Sequence, residues 1–555
     1  MQTTRAKETA AKAIIECFKR EQVERVFCVP GESYLPVLNA LYEEKSIQVI
    51  SARHEGGAAF MAEAYAKSAL KPGVVMATRG VGAANLSIGV HTAYQDSTPM
   101  VVFLGQVHSK FRGREGFQEI DLEQYFQSIA KWAVELKDAE RTPEIVQRAF
   151  RIASSGRPGP VIISLPEDVL KQEEIMHYAP VIPRPKPAPS ASELIEVEAL
   201  LADAQRPVVI AGGGVKQARA EEELKRFAEM FYIPVFTAFR RHDVFPNDHL
   251  LYGGHLGLGT PKEILETVRQ ADVVLALGTR LSEVTTQDYS LFSPEQKIIQ
   301  MDIDFYSIGK SVAPVIGMVA DMKEALLRLN ELEVKEAWSE WAFHCNSVYT
   351  KTSRLDVTEH SPINTQIIDY LIKTLPEDAM ITNDAGNFAG WVHQYYIFKH
   401  SHTYVGPTSG AMGYGLPGAI GAKLAFPDRL VIGFSGDGGF MMTCQELETA
   451  VRYDVPVICL VFNNKMYGTI RMHQEMHYPE KVIATDLGEI NFMDLAKSVG
   501  AIGYRVTSIQ EFKVAFIEAS QAKQPAVIEV MNDKEQIAVS TTITQLRNRQ
   551  SYREV

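Results

Sequence analysis

The chain has 555 residues, of which 46% are hydrophobic and 22% charged, with a formal net charge of −12. That length exceeds one hydrophobic core and predicts three or four domains, while the acidic balance argues against a general nucleic-acid or anionic-membrane binder. Cys17, Cys28, Cys345, Cys444 and Cys459 form no CxxC pair, which argues against a disulfide framework or zinc site and for a reducing cytoplasm.

The N-terminal "MQTTRAKETAAKAIIECFKRE" lacks the apolar centre of a signal peptide. It reads as an amphipathic helix with Ala13, Ile14 and Phe18 at helical spacing. No window reaches the ~18 uninterrupted apolar residues of a membrane span. Val- and Ile-rich strands then alternate with helical segments. "VERVFCVPG", "GVVMATRG", "PMVVFLGQV" and "GPVIISLP" come first, then the proline-rich linker "YAPVIPRPKPAPSASE" (178–193). "RPVVIAGGG", "ADVVLALGT" and "KIIQMDID" follow, and a softer break without sustained period lies near 345–362. "RLVIGFSGDG", "VPVICLVFNN" and "PAVIEVM" complete the series before a polar stretch over the last 20 residues. Strands of this type suit parallel sheets buried on both faces, with helices as crossovers. The expected fold is α/β, with three doubly wound parallel-sheet domains: 1–177, 194–345 and 346–535, the linker at 178–193 and a C-terminal arm over 536–555.

In such sheets ligands bind beyond the carboxyl ends of the strands. Asp437 in "IGFSGDGGF" lies at one such end, and Asn463-Asn464 closes the next strand, one crossover later. A carboxylate and an amide oxygen suit a hard cation such as Mg2+ that shares phosphate oxygens. Gly436, Gly438 and Gly439 let backbone N–H groups approach an anion. The alternative is a tight turn with a capping Asp. In "SARHEGGAAFMAEAYAK" Glu55 opens an apolar helix, either as a partly desolvated proton-transfer group or simply as the cap of that helix, favoured by the dipole. The glycine turn "RGVG" (79–82) reads equally as a phosphate loop or as close domain packing, while "AGGGVK" (211–216) lacks the full dinucleotide fingerprint and its acidic partner.

Together, "GDGGF" followed by "NN" resembles the thiamin-diphosphate signature, and "RHEGGAAFMAEAYAK" resembles the segment with that superfamily's activating glutamate. "GPTSGAMGYGLPGAIGAKLAFPDRLVIGFSGDGGF", "GREGFQEID" and "FPNDHLLYGGHLGLG" are similar to the acetohydroxyacid (acetolactate) synthase branch. The resemblance implies pyrimidine-binding, central and diphosphate-binding domains, and a homodimer or homotetramer with sites between subunits. It implies thiamin diphosphate and Mg2+ as cofactors, with Asp437, Asn464 and the Met466 carbonyl as metal ligands. Gly386, Asn387, Gly436, Gly438, Gly439, Tyr467 and Gly468 would bind cofactor, Gly410 would receive the aminopyrimidine and Met412 would wedge beneath it. Glu55 would bond the pyrimidine nitrogen; Phe117 and Gln118 would line the substrate side. FAD is a candidate third cofactor, because the central domain binds it in some relatives and stands empty in others. The implied reaction is decarboxylation of a 2-oxo acid such as pyruvate and joining of the remaining fragment to a second carbonyl compound.

Four positions depart from the synthase pattern: Gly56 follows the glutamate, Val81 replaces proline, Glu32 replaces a small residue and His473 stands where tryptophan is common. They keep open a non-oxidative decarboxylase, an aldehyde lyase or ligase and a flavin-linked oxidase. From another class, a non-catalytic regulatory subunit is also open; neither nucleic acid nor membrane is an expected partner.

Overall fold

In a computed structural model, the described residues are 7–334 and 338–551. Residues 1–6 of the expected first domain, 335–337 of the expected central domain and 552–555 of the expected arm lie outside them. Three six-stranded sheets carry the fold, and their strand pairs are parallel. The first runs across as Gln48–Ser51, Arg25–Cys28, Gly73–Ala77, Met100–Gln106, Pro160–Pro166 and Trp132–Glu135. The central sheet runs as Tyr252–His255, Val235–Thr237, Pro207–Ala211, Val273–Leu277, Lys297–Asp302 and Ile316–Val319. The third runs as Tyr404–Val405, Met380–Asn383, Val431–Gly436, Ile458–Asn463, Ala526–Met531 and Ile502–Val506. The expected α/β class with three doubly wound sheets holds.

The inner strands form because their apolar runs are buried on both faces, whereas edge strands such as Trp132–Glu135 and Ile316–Val319 are only partly buried. Every residue of Met100–Gln106 and Pro160–Pro166 is buried, and each fully buried Val, Ile, Leu or Phe contributes about 1.5–3 kcal/mol. The helix Ala10–Arg20 buries Ala13, Ile14 and Phe18, and Thr9 caps it through the Lys12 N–H at 3.2 Å. The proline-rich stretch has no regular structure up to Ser190, whose capping box with Glu193 starts the helix Ala191–Ala202. Near the softer break the structure differs from the aperiodic reading: Ser339–Thr352 is helical. Only Ala342 and Cys345 of that helix are buried, which leaves little apolar period to detect.

The first and third sheets share one strand order, 2-1-3-4-6-5 by chain position, whereas the central sheet reads 3-2-1-4-5-6. Domains one and three pack through Glu55–Ala69 against Gly415–Ala425, and a single apolar cluster includes Phe60 and Met61 with Ala419 and Ile420. A buried polar network pins all three sheets' domains together. Lys67 Nζ donates to Glu63 at 2.9 Å and pairs with Asp96 at 3.3 Å, and Arg241 Nη2 reaches Asp96 at 3.1 Å. The Thr408 N–H donates to both Asp96 oxygens, and the Tyr414 hydroxyl donates to Glu63 at 2.5 Å. Breaking such a buried set strands an uncompensated charge. The network therefore fixes the helix behind Glu55 against the loop that carries Gly410 and Met412.

Candidate active site

In the third sheet the chain leaves Met380–Asn383 for one edge and Val431–Gly436 for the opposite side, so a crevice opens between their carboxyl ends. Asp384 and Asp437 follow those two strands. Asp384 is fully buried, and burial pushes its carboxyl up to about 6. Its Oδ1 accepts from the Ala385 N–H at 2.7 Å and the Gly413 N–H at 2.9 Å, and Oδ2 accepts from Gly413 at 3.1 Å. A Cβ on Gly439 would lie 2.6 Å from Asp384 Oδ2, and one on Gly438 would lie 2.5 Å from the Tyr467 ring. Glycine is thus demanded at both positions by close approach. Asp384 organises the strand-end turn, the Gly410–Gly413 loop and the start of helix Asp437–Thr443. Sequence reasoning missed it, although its place at a strand's carboxyl end was a readable signal. Asp384→Ala should leave the buried Gly413 N–H and the half-buried Ala385 N–H without their acceptor and cost about 2–4 kcal/mol, measurable by urea unfolding.

Asp437 is 6% exposed. Its Oδ1 accepts from the Gly438 N–H at 2.8 Å, while Oδ2 is buried without a hydrogen-bond partner. Burial raises its carboxyl above the ordinary range, against backbone N–H groups that lower it. Gly436 is the N-cap, without a side-chain cap bond. Gly436 pairs in register with Phe462, so Asp437 and Asn464 leave adjacent strand ends. Asn464 Oδ1 accepts from the Met466 N–H at 3.2 Å, and a Cβ on Gly468 would lie 3.2 Å from Asn464 Nδ2. Asn463 is committed elsewhere: its Nδ2 donates to buried Glu529 at 2.7 Å. Among the described residues no group of three His, Cys, Asp or Glu side chains could hold a metal. The orphaned Asp437 carboxylate oxygen, at the strand end next to the one that carries Asn464, fits a hard cation completed by oxygens from a ligand.

Around this centre, Gly410 has φ +68° and is exposed, and Met412 is half-buried. Gly386 precedes Asn387 at the strand-end turn, where Asn387 accepts from Thr469 Oγ1 at 2.9 Å and donates to the Ile537 carbonyl at 2.8 Å. Its side chain thereby ties the turn to the helix Gly468–His477 and to the C-terminal hairpin. The helix Ile543–Ser551 beyond that hairpin is anchored by Arg547 on Glu475 at 2.7 and 2.8 Å. His473 is exposed on Gly468–His477, its ring 6.2 Å from His477.

Glu55 is 9% exposed and begins its helix, but His54 provides the cap, its Nδ1 accepting from the Gly56 N–H at 3.0 Å. Glu55 Oε2 accepts instead from Asn85 Nδ2 at 2.9 Å, and a Cβ on Gly82 would lie 3.2 Å from Oε1. Asn85 is a second residue the sequence reading missed. Buried Glu446, from the third domain, receives the N–H groups of Arg53 and His54 at 3.1 and 2.9 Å and fixes the turn before Glu55. Phe117 is 72% exposed, and the Gln118 carbonyl accepts from the Gly80 N–H at 3.1 Å.

A cavity lies at the central sheet's switch point between Pro207–Ala211 and Val273–Leu277, lined by Gly213, Arg241, Gly278, Arg280 and Asp302. Burial pushes Asp302 up to about 6 and Arg280 down to about 10. A Cβ on Gly214 would lie 2.7 Å from the Gly278 Cα, so this glycine turn has a packing reason of its own.

Three family models match the chain in order. They are the N-terminal TPP binding domain of thiamine pyrophosphate enzymes over residues 8–125, the central domain over 194–329 and the C-terminal TPP binding domain over 384–530. A probable acetolactate synthase large subunit of Methanocaldococcus jannaschii is 36% identical over 546 residues, covering 94% of this chain and 92% of the relative. Acetolactate synthase large subunits of Buchnera aphidicola subsp. Schizaphis graminum and Corynebacterium glutamicum are 34% and 33% identical, covering 92% and 94% of this chain and 92% and 86% of the relatives.

Proposed function

The chain belongs to the thiamine pyrophosphate enzyme family, and we propose that it is a thiamin-diphosphate- and Mg2+-dependent carboligase. It would decarboxylate a 2-oxo acid such as pyruvate and join the remaining fragment to a second carbonyl compound. The observation that carries this reading is the buried, unpartnered Oδ2 of Asp437 at the strand-end crevice beside Asn464. Full-length similarity to proteins named acetolactate synthase large subunits supports it.

Asp437, Asn464 and the Met466 carbonyl would hold the cation. Gly386, Asn387, Gly436, Gly438, Gly439, Tyr467 and Gly468 would surround the diphosphate. Gly410 and Met412 would seat the pyrimidine end. When bound, thiamin diphosphate supplies the electron sink for decarboxylation. Glu55 would hold and exchange a proton at the pyrimidine ring nitrogen, with Oε2 fixed by Asn85 and Oε1 available. Phe117 and Gln118 would line the substrate side. The same reading divides the chain at the linker 178–193 and near 345, and makes it a homodimer or homotetramer with shared sites.

The test is CO2 release from a panel of 2-oxo acids with cofactor and Mg2+, with and without aldehydes, and with product analysis. Carboligation products support the reading; an aldehyde as sole product favours the decarboxylase alternative; no CO2 release from any acid sinks both. The central cavity, with its arginines at a switch point, keeps FAD as a candidate. A flavin spectrum of the purified protein decides that point.

A further inference from the structure

We propose that Glu32, held by Arg79, selects the carbonyl acceptor by charge, favouring an uncharged aldehyde over a second 2-oxo acid; this rests on the reading of the crevice as a decarboxylation site.

The first sheet repeats the strand order of the third, so it has its own switch point between Arg25–Cys28 and Gly73–Ala77. Glu32 follows the first of these strands and Arg79 the second. They adjoin Glu55: the hydroxyls of Ser33 and Thr78 lie 2.9 Å apart, and Gly82, on the Arg79 turn, lies against Glu55 Oε1. Arg79 is 7% exposed, and both its arms are committed, Nη1 to Glu32 at 3.0 Å and Nη2 to Glu167. Glu167 follows the strand Pro160–Pro166. The guanidinium carbon lies 6.0 Å from the exposed Phe117 ring.

With both Nη atoms taken and its Nε buried without a partner, Arg79 clamps carboxylates of the chain itself. The Glu32 side chain is 69% exposed, with one oxygen anchored on Arg79 and the rest of the carboxylate open at the first sheet's switch point, on the side of Glu55. Two carboxylates against one guanidinium leave this cluster at −1. A 2-oxo acid acceptor brings a second carboxylate beside Glu32; an aldehyde brings none. Were the two carboxylates to come within about 6 Å at a partly screened site, the anion would be disfavoured by about tenfold. In the favoured reaction the bond from the keto carbon to the carboxylate breaks and CO2 leaves. A carbon–carbon bond forms to the aldehyde carbon, and one proton is taken up on the aldehyde oxygen, giving a 2-hydroxyketone.

The experiment supplies the holoenzyme with pyruvate labelled at C2 and equimolar propanal and 2-oxobutyrate, and scores labelled products by NMR. The wild type should form the hydroxyketone over the acetohydroxy acid. Glu32→Gln should move that ratio about tenfold toward the acid, and raising salt from about 20 to about 500 mM should move the wild-type ratio the same way. Without turnover, ligand-observed NMR should show oxamate, an unreactive anion of similar shape, binding Glu32→Gln more tightly than wild type. A wild-type preference for 2-oxobutyrate, or a ratio that neither Glu32→Gln nor salt moves, overturns the proposal while CO2 release leaves the function standing. Absence of CO2 release overturns both.

Discussion

Glu55→Gln should bind thiamin diphosphate within about threefold of wild type and lose turnover by about 10²–10⁴-fold. Glutamine keeps a carbonyl oxygen to accept from Asn85, and His54 rather than Glu55 caps the helix, so the local fold has no reason to change. The turn before it stays fixed by Glu446, whose carboxylate holds the Arg53 and His54 N–H groups from the third domain. What glutamine cannot do is take and return a proton at the pyrimidine nitrogen. The split between binding and turnover is the diagnostic, read by calorimetry against CO2 release. Asn85→Ala provides a graded companion: it leaves the acid but frees its Oε2, and should cost turnover less than Glu55→Gln. Wild-type turnover in Glu55→Gln would remove the carboxylate from the reaction, whatever the family resemblance implies.

Most strands were legible because burial on both faces writes continuous Val and Ile runs, as in Met100–Gln106. The pairing of Asp437 with Asn464 was legible because one crossover separates two strand ends. Less legible was anything made by side chains from distant segments. Asp384 acts through the Gly413 N–H, 29 residues away, and Glu446 through N–H groups 393 and 392 residues earlier. Nothing local marks Glu446, and the strand end that marks Asp384 does not reveal its partner. Glycines were legible as turns but not as to cause: Gly438 and Gly439 were read for an anion, and the structure adds Tyr467 and Asp384 pressing on them. The repeated strand order of the first and third sheets was likewise hidden, since topology is shared without sequence identity obvious enough to signal it. That repetition is what turns Glu32 and Arg79 from an odd local variation into the occupants of a second switch point.

Asp437→Asn should weaken Mg2+-dependent cofactor binding by about a hundredfold or more, yet make the cofactor-free protein more resistant to heat. The two effects share one cause. Asp437 is buried with Oδ2 unpartnered, and desolvation raises its folded carboxyl above the ordinary value of 3.8. A carboxylate whose folded value is raised stabilises the fold when protonated, and that contribution is lost as pH rises through the folded value. At neutral pH the ionised group is therefore a cost to the empty protein, which asparagine removes with little change of shape. A divalent cation reverses the sign, because it requires the ionised form and gives Oδ2 its missing partner. Acidification should then weaken cofactor binding from a higher pH than an ordinary carboxylate would, while the empty wild type gains stability over the same interval. Thermal unfolding with and without Mg2+ and thiamin diphosphate, across pH, measures both. Asparagine should flatten the two pH dependences together and abolish the thermal shift that cofactor produces in wild type. A variant that keeps that shift would show that the cation, if bound, is held by other oxygens.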